Sequence, residues 1–272
     1  FVVKGQTIAN SYPRPLHRVG GDIDFYCFAE DLERLLNILH KELNVEPKRD
    51  ESEQHYTFLF NKTLFELHFT LYKFANTENQ QYFDNLINSE PLSYTFIDNK
   101  KIPTLNPTLN LAYTFLHLFH HLIELGVGLR QFCDVAILCH IAAMAEQEGD
   151  RKNCIDKAKL IEILTRLDFL KAFTAIGTIL VDEIGLLEAE FPYTLTKKDY
   201  KRKKYILNVV YKRGNFGKYG RTTKVRSGIK YYIEQTNIKL SHYYHLFNLS
   251  RKENIALITK EIPKKILQAI KR

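Results

Sequence analysis

Asp22 and Asp24 stand one residue apart in the segment Arg18-Val19-Gly20-Gly21-Asp22-Ile23-Asp24-Phe25. In an extended segment alternate side chains face opposite ways, so the two carboxylates share one side while Ile23 and Phe25 enter a core. Two like charges that close repel by about 1 kcal/mol even in water, and a cation is their natural neutraliser. On that reading Asp24→Asn would leave stability unchanged or raise it, because a repelling charge is removed. Hard oxygen donors suit Mg²⁺, which takes one or two carboxylates and completes its octahedron with water and phosphate oxygens. The chemistry open to such a pair is metal-assisted reaction at a phosphate. An isolated Asp-x-Asp is a weak motif, and in a loop it is ordinarily a solvated acidic turn. Its neighbours therefore carry the argument.

Upstream, Phe1-Val2-Val3-Lys4-Gly5 reads as a short strand, and Gln6 to Tyr12 as a short helix stopped before Pro13 and Pro15. Gly5 would let the backbone approach a phosphate. Downstream, Tyr56–Phe60 and Leu64–Tyr72 are β-rich runs joined by Asn61-Lys62-Thr63, a hairpin signal. On the second run Phe65, Leu67, Phe69 and Leu71 form an apolar face, with Glu66, His68, Thr70 and Tyr72 opposite. Glu66 thus adds a third strand-borne carboxylate. His68, on the same face, could hydrogen-bond a carboxylate, contact substrate or accept a proton, or could be a partly exposed strand residue. Arg18 and Lys4 flank the acids and would supply positive charge to phosphates. Arg18 ranks first, since Lys4 at a strand end can carry its ammonium out to solvent.

The order Lys4-Gly5, Gly21-Asp22-Ile23-Asp24, Glu66-Leu67-His68 resembles the polymerase-β-type nucleotidyltransferase superfamily, in its branch of uncharacterised bacterial nucleotidyltransferases. The resemblance implies an α+β fold, a nucleotidyltransferase mixed-sheet core with flanking helices followed by a mostly helical domain. It implies Asp22, Asp24 and Glu66 as catalytic metal ligands for Mg²⁺ or Mn²⁺, and Lys4, Gly5, Arg18 and Gly21 as nucleotide-binding residues. An NTP such as ATP would donate its nucleotidyl group to a small-molecule, protein or RNA acceptor, in the cytoplasm. Two departures concern the phosphate loop: Gln6 replaces a small residue, and the fifteen residues 7 to 21 make a slightly long gap before Asp22. His117-Leu118-Phe119-His120-His121, Gly126 to Gln131 with Asp134, and Gly214-Asn215-Phe216-Gly217 resemble the helical half of the same branch. Two other classes compete: a nucleotide-binding module without turnover, and an RNA-associated, toxin-like component.

The chain has 272 residues, 45% of them hydrophobic, enough for a sizeable core. No apolar run approaches the roughly 18 residues of a membrane span. Cys27, Cys133, Cys139 and Cys154 form no regular framework, which points to free thiols. A start at Phe1 inside a strand is expected of an N-terminally truncated piece. Residues 1–103 carry the strands, with a helix near Ala29–Leu43. Helical spacing follows over 104–190, in Leu109–Leu125, Leu129–Gln147, Lys157–Leu167 and Leu170–Ile184, and 191–272 form a basic, mostly helical tail. Residues 191–272 hold 21 Lys or Arg against 4 Asp or Glu, a net +17, whereas residues 1–190 hold 18 against 27, a net −9. The tail either meets a polyanion such as nucleic acid or packs across the acidic body. Its apolar residues, Ile206, Leu207, Val209, Val210 and Tyr211 with Ile255, Leu257, Ile258, Ile266, Leu267 and Ile270, favour an ordered tail lending basic residues to a cleft rim. His117 and His121 lie one turn apart, as do His120 and Glu124. A zinc site there would need further ligands, so a structural role or substrate contact ranks above metal binding. Arg130 either pairs with Asp134 or reaches a triphosphate.

Overall fold

The computed structural model describes residues 1–50, 54–124, 126–214, 229–261 and 263. The chain divides into two compact units, Phe1–Asn110 and Leu111–Arg272.

The first unit is built on a seven-stranded mixed sheet. Its strands are β1 (Val2–Val3), β2 (Ile23–Tyr26), β3 (Lys48–Arg49), β4 (His55–Phe60), β5 (Thr63–His68), β6 (Ser93–Ile97) and β7 (Lys100–Thr104), in the order β3-β4-β5-β2-β1-β7-β6. The β4–β5 and β6–β7 hairpins close through two residues of positive φ, Asn61 (48°) with Lys62 (64°) and Asp98 (47°) with Asn99 (62°). Asn and Asp tolerate that region, and such turns match the twist of the strands they join. β1 is followed by α1 (Gly5–Ala9), shorter than the expected Gln6–Tyr12, and residues 11 and 12 only form turns back to Ile8 and Ala9.

The expected helix at Ala29–Leu43 is one 3₁₀ turn, Ala29–Asp31, and then α2 (Leu32–Leu43), which ends where Asn44 turns left-handed at φ 51°. Its Leu32, Leu35, Leu36 and Leu39 cover Phe25, Phe58, Phe65 and Leu67 on one sheet face, where Phe58 and Phe65 stack at 5.2 Å. β5 stops at His68 instead of running to Tyr72. The amides of Phe69 and Thr70 both turn to the carbonyl of Gln54, so Thr70 and Tyr72 leave the face shared by Glu66 and His68. Apolar spacing does not announce α3 (Thr77–Ser89). Its first turn is polar, Asn76 caps it by accepting from the Asn79 amide, and Phe83 and Ile87 are its buried apolar residues.

The second unit is helical: α4 (Pro107–Glu124), whose first turn is counted in the first unit, α5 (Leu129–Glu148), α6 (Lys157–Arg166), α7 (Leu170–Ile179), α8 (Lys197–Arg213), α9 (Ile229–Leu246) and α10 (Arg251–Ala256). α7 runs into a π turn, Leu180–Ile184, within the range expected for one helix. The rings of Phe115, Phe119, Phe169 and Phe173 pack as a fully buried cluster. The basic tail belongs to this unit. Ile206 is fully buried, and Val209 and Val210 nearly so. Lys203 bonds Asp182 at 2.5 Å and Glu183 at 3.0 Å, and Lys239 bonds Glu124 at 2.9 Å. Tyr211 (66% exposed), Ile255 and Ile258 remain exposed, against the expectation that they are covered. Leu125, Asn215 to Gly217, Ile266, Leu267 and Ile270 lie outside the described residues. All four cysteines are free thiols. Among the described residues no helix is long and apolar enough to cross a membrane.

Candidate active site

The site is assembled by strand register. β2 and β5 are parallel neighbours with Asp24 opposite Glu66 and Tyr26 opposite His68. β4 runs antiparallel on the far side of β5, with Thr57 opposite Glu66 and His55 opposite His68. Register partners share a face, so Asp24, Glu66, His68 and His55 gather on the side of the sheet away from α2. β1 brings Val3 opposite Asp24, and the chain then turns sharply at Lys4 (φ 54°, ψ −140°) to start α1.

That turn aims Lys4 inward. Its Nζ lies 2.8 Å from Asp24 Oδ1, and His68 Nε2 lies 2.8 Å from the same oxygen. A carboxylate oxygen accepts only, so the imidazole donates through Nε2–H. All three are buried, with Asp24 3%, Lys4 8% and His68 5% exposed. Lys4 therefore does not reach for solvent, and His68 is not a partly exposed strand residue. Burial alone would raise the pKa of Asp24, but the Lys4 charge and the His68 hydrogen bond outweigh it and hold the carboxyl well below the usual range. Burial would lower His68, yet its hydrogen bonds to Asp24 and Glu66 prevail and raise it. Attraction, not repulsion, dominates at Asp24. Repulsion survives at Asp22, whose pKa is raised by burial and then by the charges of Asp24 and Glu66, with Lys4 offsetting part of it. Asp22 is half-buried at the end of the loop leading into β2.

Glu66 sits between two imidazoles. Its Oε1 is 3.9 Å from His55 Nε2 and its Oε2 is 3.4 Å from His68 Nε2, and the two rings lie 4.9 Å apart. Among the described residues the compact group of metal-ligand side chains is His55, Glu66 and His68, with donor atoms within 4.8 Å of one another. The pair Asp22 and Asp24 is not in that group. His55 escapes a search for acidic motifs, although a two-residue turn at Asn61-Lys62 pairs positions 60 with 63, and therefore 55 with 68.

The structure thus brings Lys4, Asp22, Asp24, Glu66 and His68 together. Gly5 follows Lys4 with φ 28°, a value strained for any side-chain-bearing residue. Arg18 is half-buried, and Gly21 exposed, in the loop before Asp22. His117, His121 and Arg130 belong to the helical unit. His117 and His121 meet at 3.0 Å between their Nε2 atoms on α4, and Arg130 lies in the first turn of α5. Glu124, one turn from His120, accepts from Lys239.

A family model described as "Uncharacterised nucleotidyltransferase" matches residues 1–181, which include the seven strands and Asp22, Asp24 and Glu66. No curated protein matches the chain. Among solved structures, an antigenic nucleotidyltransferase-like protein from Paracoccidioides brasiliensis is similar at 12% identity and a TM-score of 0.41, over 74% of this chain and 87% of that one. The matched stretch exceeds half of the 272 residues, and the chain belongs to this nucleotidyltransferase family.

Proposed function

We propose that the chain transfers a nucleotidyl group from an NTP to an acceptor hydroxyl or amine. The observation that carries this reading is the in-register pairing of Asp24 with Glu66 on adjacent parallel strands, with Asp22 close enough to feel both charges. An acceptor oxygen or nitrogen bonds to the α-phosphorus, the bond to the bridging oxygen of the β-phosphate breaks, pyrophosphate leaves with that electron pair, and the acceptor proton goes to solvent. Asp22, Asp24 and Glu66 would hold Mg²⁺ or Mn²⁺. The donors are all carboxylate oxygens, and Asp24 Oδ1 already accepts from the Lys4 ammonium and a His68 ring nitrogen. The ion would neutralise phosphate charge and lower the pKa of the acceptor. Lys4 supplies a further positive charge to the phosphates, with Gly5, Arg18 and Gly21 beside it, and His68 orients Asp24. No role in this chemistry is assigned to His117, His121 or Arg130.

The test is thermal protection by ATP and the other NTPs with Mg²⁺, together with pyrophosphate release on adding candidate acceptors. Wild type is expected to show metal-dependent protection that Asp22→Asn and Glu66→Gln lose. Equal protection in all three would overturn the assignment. The satisfied state of Asp24, bonded to Lys4 and His68, favours a second reading in which the module binds a nucleotide without turnover. Protection with no pyrophosphate release from any NTP and acceptor pair would leave that reading standing.

A further inference from the structure

We propose that His55, Glu66 and His68 form a binding site for a borderline divalent ion of the Zn²⁺ class, beside the oxygen-rich aspartate pair. Two imidazoles and one carboxylate are the donors that select such ions, whereas Mg²⁺ and Ca²⁺ favour oxygen alone. The donor atoms already lie within 4.8 Å of one another, and Glu66 turns one oxygen toward each histidine, at 3.9 and 3.4 Å. Ligands bound at about 2.0–2.1 Å around a tetrahedral ion sit roughly 3.3 Å apart, so small side-chain rotations close the set. The scaffold is rigid, because the three residues stand on the two strands of one hairpin whose turn fixes their pairing. All three side chains are largely covered, with 16% of His55, 20% of Glu66 and 7% of His68 exposed.

Asp24 competes with this ion for His68. Its Oδ1 holds His68 Nε2 at 2.8 Å, so the ion would bind as that hydrogen bond opens, with the ring hydrogen carried on Nδ1 and Lys4 left as the partner of Asp24. The site shares Glu66 and His68 with the residues of the nucleotidyl-transfer reading, but it requires no nucleotide and stands whether or not transfer occurs.

The test uses the full chain, stripped with a chelator and titrated with Co²⁺ as a spectroscopic probe of a zinc-type site. One equivalent is expected to bind with visible absorption of a four-coordinate centre, to be displaced by stoichiometric Zn²⁺, and to resist a large excess of Mg²⁺. His55→Gln should weaken binding about ten-fold or more, and His55→Gln with His68→Gln should abolish it. Asp22→Asn, expected to lose nucleotide protection, should keep Co²⁺ affinity within about two-fold, which separates this site from the nucleotidyl-transfer reading. His117→Gln with His121→Gln should also leave it unchanged, because the helical histidine pair is the rival location. Cu²⁺ electron paramagnetic resonance on the double variant at His117 and His121 should still show imidazole nitrogen, a readout that leaves the strand residues intact. Co²⁺ displaced by equimolar Mg²⁺, binding lost with the helical pair, or an unchanged affinity in folded His55→Gln would each overturn the proposal, leaving the cluster a hydrogen-bond network.

Discussion

Asp24 has one oxygen between an ammonium and an imidazole, both at 2.8 Å and both buried. Removing one partner of a buried ion pair costs more than the pair contributes, because the remaining charge is stranded away from water. Asp24→Asn is therefore expected to destabilise the chain by about 3 kcal/mol, with Lys4 left uncompensated. Lys4→Met with Asp24→Asn should recover part of the loss, since no unpaired charge remains. Urea unfolding of the two variants decides the matter. A wild-type midpoint in Asp24→Asn would restore the simpler picture of two repelling carboxylates. That picture follows from Asp22 and Asp24 read alone; the cation that reverses it, Lys4, is twenty residues away in the chain.

Two elements of the helical unit make predictions of their own. At the start of α8, Asp199 accepts from Thr196, Thr174 and Arg202 and is 5% exposed. Burial would raise its pKa, but the hydrogen bonds from Thr196 and Thr174 and the Arg202 charge outweigh it and lower it. A carboxyl with a depressed folded pKa binds fewer protons folded than unfolded, so its contribution is present above the unfolded value of about 3.9 and is lost as pH falls through the folded value. Asp199→Asn should lower stability at pH 7 by about 1–2 kcal/mol and flatten the acid limb of stability against pH. An acid limb as steep as that of wild type would show that Asp199 is not its source. In α7, a Cβ built on Gly177 would meet the Phe191 ring at 2.5 Å. Glycine to alanine inside a helix ordinarily stabilises by about 1 kcal/mol, whereas overpacking costs about 1–3 kcal/mol. Gly177→Ala should therefore lower the melting temperature, and adding Phe191→Leu should restore it. A rise in the single variant would mean that the ring moves freely.

Across the whole molecule the charge split, +17 against −9, resolves in part within the second unit, where Lys203 and Lys239 of the tail bond Asp182, Glu183 and Glu124 of the preceding helices. An unattached segment of that charge would repel itself, and Ile206, Val209 and Val210 give α8 an apolar side to bury. Amides near Ile206–Val210 are expected to exchange slowly with no nucleic acid present. Rapid exchange there would point to a detached polyanion-binding arm. Lys197, Lys198, Lys201 and Lys204 remain exposed on the same helix, so packing uses one side of α8 and leaves the other charged.

Local rules were enough to read the strand alternation that puts Glu66 with His68, the Asn61-Lys62 hairpin, and the helical spacing within residues 109–184, because periods of 2.0 and 3.6 residues are properties of contiguous chain. Asp22, expected on the strand with Asp24, instead lies one residue before β2 begins. The parallel pairing of β2 with β5 brings together residues 42 positions apart, and no local pattern sets it. That pairing decided that Glu66 faces Asp24, and the positive φ at Lys4 decided that a buried ammonium lies 2.8 Å from Asp24. α3 stayed hidden because capping and two buried apolar residues hold it, not a repeating stripe. Alternation determined which face each candidate residue occupies, while tertiary pairing determined its neighbours, and the sign of an electrostatic interaction depends on the neighbour.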